Sequence, residues 1–371
     1  MTQDIGAFRT AATSVLAYGE PTHLEPAFAR IRNGLFARLA ELGFRSIAIE
    51  SDRVAGLTVD EFVRSGSGDL DPVLRNGFSH GLGELDANRQ LVCWLREYNE
   101  TRPAHEKLAF HGFDLPLEMV SAPSPRRYLE HARDYLGLDT DLAAGDDERW
   151  SRTEAVMDAT ESPGASPEAD RLRLLADDLL TALYTRAPEL IAKTSLAEWY
   201  RAHTHLTAGI GLLRYHRQSA APLDQATRTS RLLGVRDAMM ARNLLDIREI
   251  EASRGPTLVF AHNRHLQRHP STMDTWGMDL EWFGAGAIVS ELLGDQYRFV
   301  AGSLGASAGI GLAEPEPGTF EGLLQQRISG WGLIEEVESG RVRTDPTPAQ
   351  GYFPLDQATV DGADAVLHVS A

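Results

Sequence analysis

The sequence predicts an α/β fold: a mostly parallel central sheet flanked by helices, with a helical insertion or cap in the middle of the chain. Two observations predict it. Short apolar runs alternate with helix-period segments near both ends of the chain, the pattern of strands joined by right-handed crossovers. Between about Pro116 and Ala226 no strand pattern occurs. The expected division is residues 1–116 for the first part of the core, 117–226 for the insertion and 227–371 for the second part of the core.

The elements follow in order. Ser14–Tyr18 reads as a strand, and Phe28, Ile31, Leu35, Leu39 and Leu42 form one helical stripe after it. Ser46–Ile49 is a second strand, Asn88–Tyr98 a helix and Leu108–Gly112 a third strand. The insertion holds helices at Arg126–Tyr135, Glu168–Tyr184 and Leu196–Arg217, separated by an acidic turn-rich stretch and by the loop Glu161–Pro167. Ser230–Ile250 is a long amphipathic helix, and strands follow at Thr257–Ala261, Tyr297–Ala301 and Asp364–Val369. No internal repeat is present.

Composition narrows the function classes. With 371 residues, 43% apolar and 24% charged, the chain can bury a sizeable core. Acidic residues outnumber basic ones by 53 to 36, giving a net charge of −17. No Lys/Arg cluster offers a face for phosphates, so no nucleic-acid partner is expected. Cys93 is the sole cysteine; it excludes an internal disulfide and, beside Leu91, Val92 and Leu95, reads as a core residue. Met1–Gly19 lacks a basic run followed by an apolar stretch, and no apolar run is long enough to span a membrane. A cytoplasmic protein without a membrane partner is the expectation.

In an open parallel sheet, ligands bind beyond the carboxyl ends of the strands. The first strand leads into Gly19, Glu20, Pro21, Thr22 and His23, and the second into Glu50, Asp52 and Arg53. The third leads to Asp114, and the Thr257–Ala261 strand to His262, Asn263, Arg264 and His265. A single carboxylate there often caps the next helix, and a lone histidine is commonly structural. Four strand ends with ionisable groups point to a site. A neutral imidazole can take a proton from water near neutral pH. A carboxylate can fix its tautomer and stabilise the imidazolium, a role open to Glu20 and Glu50 beside His23. His262, His265 and Arg32 are candidates for steadying a developing oxyanion.

Three rival readings fit less well. Gly305–Gly309 matches the G-x-S-x-G elbow around Ser307, but the following Ile310–Gly318 opposes a helix, and only His368 lies downstream as a triad histidine. His262, His265 and His269 have ligand-like spacing, without an H-E-x-x-H or a cysteine cluster. The Gly81–Gly83 region lacks the P-loop lysine and the dinucleotide fingerprint. Neither a metal nor another cofactor is expected.

The run Gly19-Glu20-Pro21-Thr22-His23, the helix with Arg30 and Arg32, and the strand ending in Glu50 together resemble the erythromycin esterase family. So do Trp94–Asn99, Gly112-Phe113-Asp114-Leu115-Pro116, Arg236-Asp237 with Met240 and Asn243, and Ala261–His265, in that order along most of the chain. The resemblance implies hydrolysis of a cyclic, macrolactone-like ester without a serine nucleophile. It makes His23 the general base, supported by Glu20 and Glu50, with His262 and His265 lining the same cleft. It has Arg32 position groups in that cleft and gives Asp114, Arg236 and Asp237 to the scaffold rather than to substrate; as strand-end residues, Arg53, Asp114 and Asn263 join Arg32 as candidates for substrate contact. Leu24 departs from the pattern, since a small residue is common there. The expected partner is a small-molecule ester or lactone. A natural-product cyclase or lyase using the same base, or a binding protein keeping only the fold, is the alternative.

Overall fold

The computed structural model describes residues 2–118, 120–275 and 277–370. The first strands are β1 (Val15–Glu20), β2 (Ser46–Asp52) and β3 (Ala109–Asp114). Helices α1 (Pro26–Glu41), α2 (Arg53–Ser65), α3 (Leu70–Gly77) and α4 (Asp86–Glu100) connect them. Capping fixes where helices start: Glu25 accepts from the Ala27 amide with Pro26 in the first turn, and Asp52 accepts from Val54 and Ala55.

Between β3 and the next strand, the chain is helical: α5 (Arg126–Leu136), α6 (Asp147–Ser151), α7 (Thr153–Met157), α8 (Pro167–Thr185), α9 (Ala187–Lys193), α10 (Leu196–Ser219) and α11 (Gln225–Glu251). Leu129, Trp150, Leu172, Leu179, Leu206 and Leu213 form a separate apolar core for α5, α6, α8 and α10. The chain then forms β4 (Thr257–His262), the short α12 (Asn263–Leu266), the hairpin β5 (Ser271–Thr275) and β6 (Met278–Trp282), and α13 (Ala285–Leu293). It ends with β7 (Tyr297–Leu304), α14 (Phe320–Arg327), β8 (Trp331–Ile334), α15 (Gln357–Gly362) and β9 (Ala365–Val369).

The main sheet has the order β3-β2-β4-β1-β7-β9-β8. All its pairings are parallel except β8 with β9. Alternate side chains feed two cores. Leu16, Tyr18, Leu258 and Phe260 pack toward Phe28, Phe36 and Leu95; Val15, Ala17, Val259 and Ala261 pack toward Met240, Leu244 and Val289. Both faces are covered, so β1, β2 and β4 are buried throughout.

From β1 the chain runs out to β2, and from β4 it runs the other way to β7. The two neighbours therefore form a topological switch point, where a crevice opens beyond the strand ends. The sequence did not reveal α2, α3, the β5–β6 hairpin or the antiparallel edge strand β8. It also stops β1 at Tyr18 and β2 at Ile49. The structure carries them to Glu20 and Asp52, because ladder pairing with His262 and Asp114 continues past the apolar residues.

Candidate active site

Glu20, the last residue of β1, holds His23 three residues on. Its Oε1 lies 2.8 Å from His23 Nδ1. A carboxylate only accepts, so Nδ1 carries the proton and the lone pair sits on Nε2. His23 Nε2 is 3.8 Å from Glu50 Oε2, and the imidazole is 46% exposed, open to the crevice. Gly19 makes room nearby, because a Cβ there would collide with the Asn263 side chain. Asn263 uses that gap to donate to the Gly302 carbonyl (2.8 Å) and accept from its amide (2.9 Å). Asn263 therefore ties α12 to β7 and touches no open space.

Glu50 is the hub. Its Oε2 accepts from the His262 amide at 2.9 Å. Its Oε1 lies 3.1 Å from both Arg236 Nη2 and His265 Nε2. Burial disfavours its charge, yet His265, His23 and Arg236 together hold the carboxyl well below its ordinary range. His265 Nδ1 is also 2.8 Å from Asp237 Oδ1. Burial opposes the imidazolium, but Asp237 and Glu50 push His265 up to about 10, so it is a fixed cation at neutral pH. Asp237 further accepts from Trp282 Nε1 and the Ala285 amide, each at 2.8 Å. Arg236 forks onto Asp114 at 2.6 and 3.1 Å. Against burial, that guanidinium holds Asp114 down at about 2. Asp114 is fully buried and acts on the cleft only through Arg236.

His262 differs from His265. Its Nε2 faces the Pro21 carbonyl at 3.2 Å, and its Nδ1 accepts from the Arg264 amide at 3.2 Å. Burial, then the neighbouring His23, hold it well below the ordinary value, so it is neutral. Its ring lies edge-on to Phe353 (4.9 Å) and 5.4 Å from the His23 ring. With these lone pairs engaged, His262 and His265 have none to offer a metal. His269 sits apart on the Pro270 carbonyl and Thr359. Among the described residues no group of three or more His, Cys, Asp or Glu is arranged as a metal site.

A cavity of about 630 Å³ opens against Glu20, His23, Arg32 and Glu50 on one side, and against Leu82 and Leu85 on the other. That volume suits a drug-sized ligand. Arg32 is buried, bonded to Asn33 Oδ1 at 2.8 and 3.1 Å, and 4.9 Å from the Phe260 ring. Burial lowers it to about 10, so it stays charged at neutral pH. Among the described residues no carboxylate lies within ion-pair distance of it. Arg53, expected at the cleft, is elsewhere. Its guanidinium donates to the Asn243 carbonyl at 3.3 Å, because as the first residue of α2 it points toward α11.

Ser307 does not sit on a strand-to-helix elbow. It bridges to Leu312 in a tight turn, and no helix starts before Phe320. Its hydroxyl donates to Glu25 Oε2 at 2.6 Å. His368 is engaged by Ser303 (2.9 Å) and Gln325 (3.0 Å) instead. Ser307→Ala is expected to keep near wild-type ester hydrolysis, and serine-directed phosphonates should leave Ser307 of the wild-type protein unlabelled. Mass spectrometry after phosphonate treatment checks both proteins.

A sequence profile described as Erythromycin esterase matches residues 39–366. The chain belongs to the erythromycin esterase family. It is an ester hydrolase. Glu50, Asp114, Arg236, Asp237, His262 and His265 fall inside the matched span, and Glu20 to His23 lie just ahead of it. An Escherichia coli protein named erythromycin esterase type II is 26% identical over 341 residues, covering 88% of this chain and 78% of its own. A Bacillus cereus protein of known structure superposes with a TM-score of 0.69 at 15% identity, over 97% of this chain and 89% of its own. A His-to-Asn variant of the erythromycin esterase EreC in its open conformation does so at 0.67 and 17%, over 97% and 91%. At these identities the structures establish the shared fold. No helix among the described residues is long and apolar enough to cross a membrane.

Sequence reading missed several participants in this esterase. Trp282, the orienter of Asp237, lies on the unforeseen strand β6. Phe353 reaches His262 from a loop near the C-terminus, and Asn33 holds Arg32. None carries a local motif.

Proposed function

We propose that this esterase opens a cyclic, macrolactone-like ester by water attack, with His23 as general base and no covalent acyl intermediate. The observation that carries the reading is the Glu20–His23 pair at 2.8 Å, with the free Nε2 directed to a cavity of about 630 Å³. Water held at Nε2 attacks the ester carbonyl carbon as its proton passes to Nε2. Glu20 stabilises the imidazolium through Nδ1. Arg32, a buried cation on the cavity wall without a carboxylate partner, supports the tetrahedral oxyanion. Collapse expels the alkoxide, which takes the proton back from Nε2. Glu50, held by His265 and Arg236, supplies the fixed negative charge behind His23. Incubation with a panel of macrolides tests this: the product must gain the mass of one water. An isobaric product would favour a cyclase or lyase.

The charges predict a pH profile. Although burial alone would lower it, Glu50 and Glu20 raise His23 above its ordinary 6.5. A base works only when neutral, so kcat/KM should rise with pH through a limb lying above 6.5. Glu20→Gln removes both the hydrogen-bonded anion and its charge. The limb should move to lower pH while maximal turnover falls. A limb that stays in place in Glu20→Gln would exclude His23 as its origin.

A further inference from the structure

One strained backbone position lies in the turn that leads into the Leu82–Leu85 wall of the cavity. His80 has φ 55, and among the described residues it is the only non-glycine with a positive φ. A Cβ-bearing residue is disfavoured in that conformation, and Gly81 beside it, at φ 69, shows what the turn accepts readily. A histidine held there against its backbone preference points to work done by its side chain.

The imidazole lies between two carboxylates. Nδ1 is 3.2 Å from Glu118 Oε2, and Nε2 is 3.5 Å from Asp114 Oδ2. The His80 amide also faces Glu118 Oε1 at 3.4 Å. Asp114 is the residue that grips Arg236, and Arg236 grips Glu50, which stands 3.8 Å from His23 Nε2. A line of charged and ionisable side chains thus runs Glu118–His80–Asp114–Arg236–Glu50–His23, hydrogen-bonded from Asp114 through Arg236 to Glu50 and joined to the two histidines by ion-pair approaches of 3.5 and 3.8 Å.

The same turn also builds the far wall of the cavity. Ser79 accepts from the Asp52 amide at 2.9 Å and donates its own amide to Ser51 at 2.9 Å, pinning the turn to the end of β2. Two residues beyond His80 the chain enters the segment that presents Leu82, Glu84 and Leu85 to the cavity. His80 therefore joins the wall that meets substrate to the charges that set the base.

We propose that His80 is a positioning residue for hydrolysis: it holds Asp114 and Arg236 so that Glu50 stands correctly behind His23, and couples that alignment to the Leu82–Leu85 wall. The proposal rests on the hydrolytic role given to His23 above. It explains why a turn suited to glycine carries an imidazole.

The test uses His80→Gly, which suits the left-handed turn and removes the ring. His80→Asn, which also tolerates that conformation, serves as a second variant. Both should melt at or above the wild-type temperature. The ring resonances of His23, assigned by their loss in His23→Ala, should shift in both variants. Turnover of a macrolide substrate should fall by about ten- to a hundred-fold in kcat, the scale of an ångström-level misplacement, with a smaller change in KM. Unmoved His23 resonances, or wild-type kcat in folded His80→Gly, would overturn the proposal. The His23→Ala control separates the two failures. If that variant turns over substrate normally, the hydrolytic reading itself falls. If it is inactive while His80→Gly is normal, only the role of His80 falls.

Discussion

His23→Ala is expected to lower macrolide turnover by about a hundred- to ten-thousand-fold, the usual contribution of a general base. The fold should survive. The imidazole is 46% exposed and belongs to a turn, so its removal opens no cavity in the core. Glu20 and Glu50 are buried, but both line the cavity, where water can replace the ring. Glu50 keeps Arg236 and His265 within 3.1 Å. Activity and melting must be measured together, because only an inactive and folded variant speaks to chemistry. A folded His23→Ala enzyme with near wild-type turnover would end the general-base reading. Glu50→Gln should be comparable or milder, since an amide keeps hydrogen bonds but not the charge behind the imidazolium.

The second large effect concerns stability. Asp237→Ala should destabilise the protein by about 3–5 kcal/mol, the scale for breaking a buried ion pair by removing one partner. Asp237 is fully buried and accepts from His265, Trp282 and the Ala285 amide at 2.8 Å each. Truncation strands all three donors. The pH dependence has a definite sign. His265 stands at about 10 in the folded protein against an ordinary 6.5. Its ion pairs therefore contribute fully below about pH 6.5 and lose that contribution as pH rises through about 10. Denaturant unfolding of the two proteins should show the largest gap at neutral and mildly acidic pH, narrowing toward pH 10. A gap that widens with alkalinity would show that His265 is not the partner responsible.

Arg236 and Asp114 set the opposite limit. Asp114 is held at about 2 against an ordinary 3.8. Its pairing with Arg236 contributes above the ordinary value and is lost as pH falls from there toward 2. The cluster around Glu50 thus has a stability window bounded by Asp114 on the acid side and His265 on the alkaline side.

Part of this site is local and was readable in the chain. Glu20 and His23 sit three residues apart at a strand end, and their contact needs only the turn between them. Strand periodicity, the long helices of the insertion and the strand-end position of Glu50, Asp114, His262 and His265 are likewise local patterns. Position alone does not assign work, as Arg53 and Asn263 show. Both follow strands in the expected place, yet Arg53 turns to the Asn243 carbonyl and Asn263 to the Gly302 backbone. A side chain's direction depends on the pleat, the cap and the neighbouring helix, none of which is written in the residue's own neighbourhood.

The sequence by itself determined which residues could act: an α/β chain with a Glu/His turn, acidic strand ends and a late histidine pair. Only the tertiary structure decided what each one is. His262 and His265 are three residues apart, yet one is neutral and the other a fixed cation. The physical reason is that a charge state follows from the groups around it. His265 meets Asp237 and Glu50, carried in by α11 and β2, whereas His262 meets the Pro21 carbonyl and the Arg264 amide. Those meetings depend on the strand order β3-β2-β4-β1, which brings residues far apart in the chain to a single crevice and which no local pattern encodes.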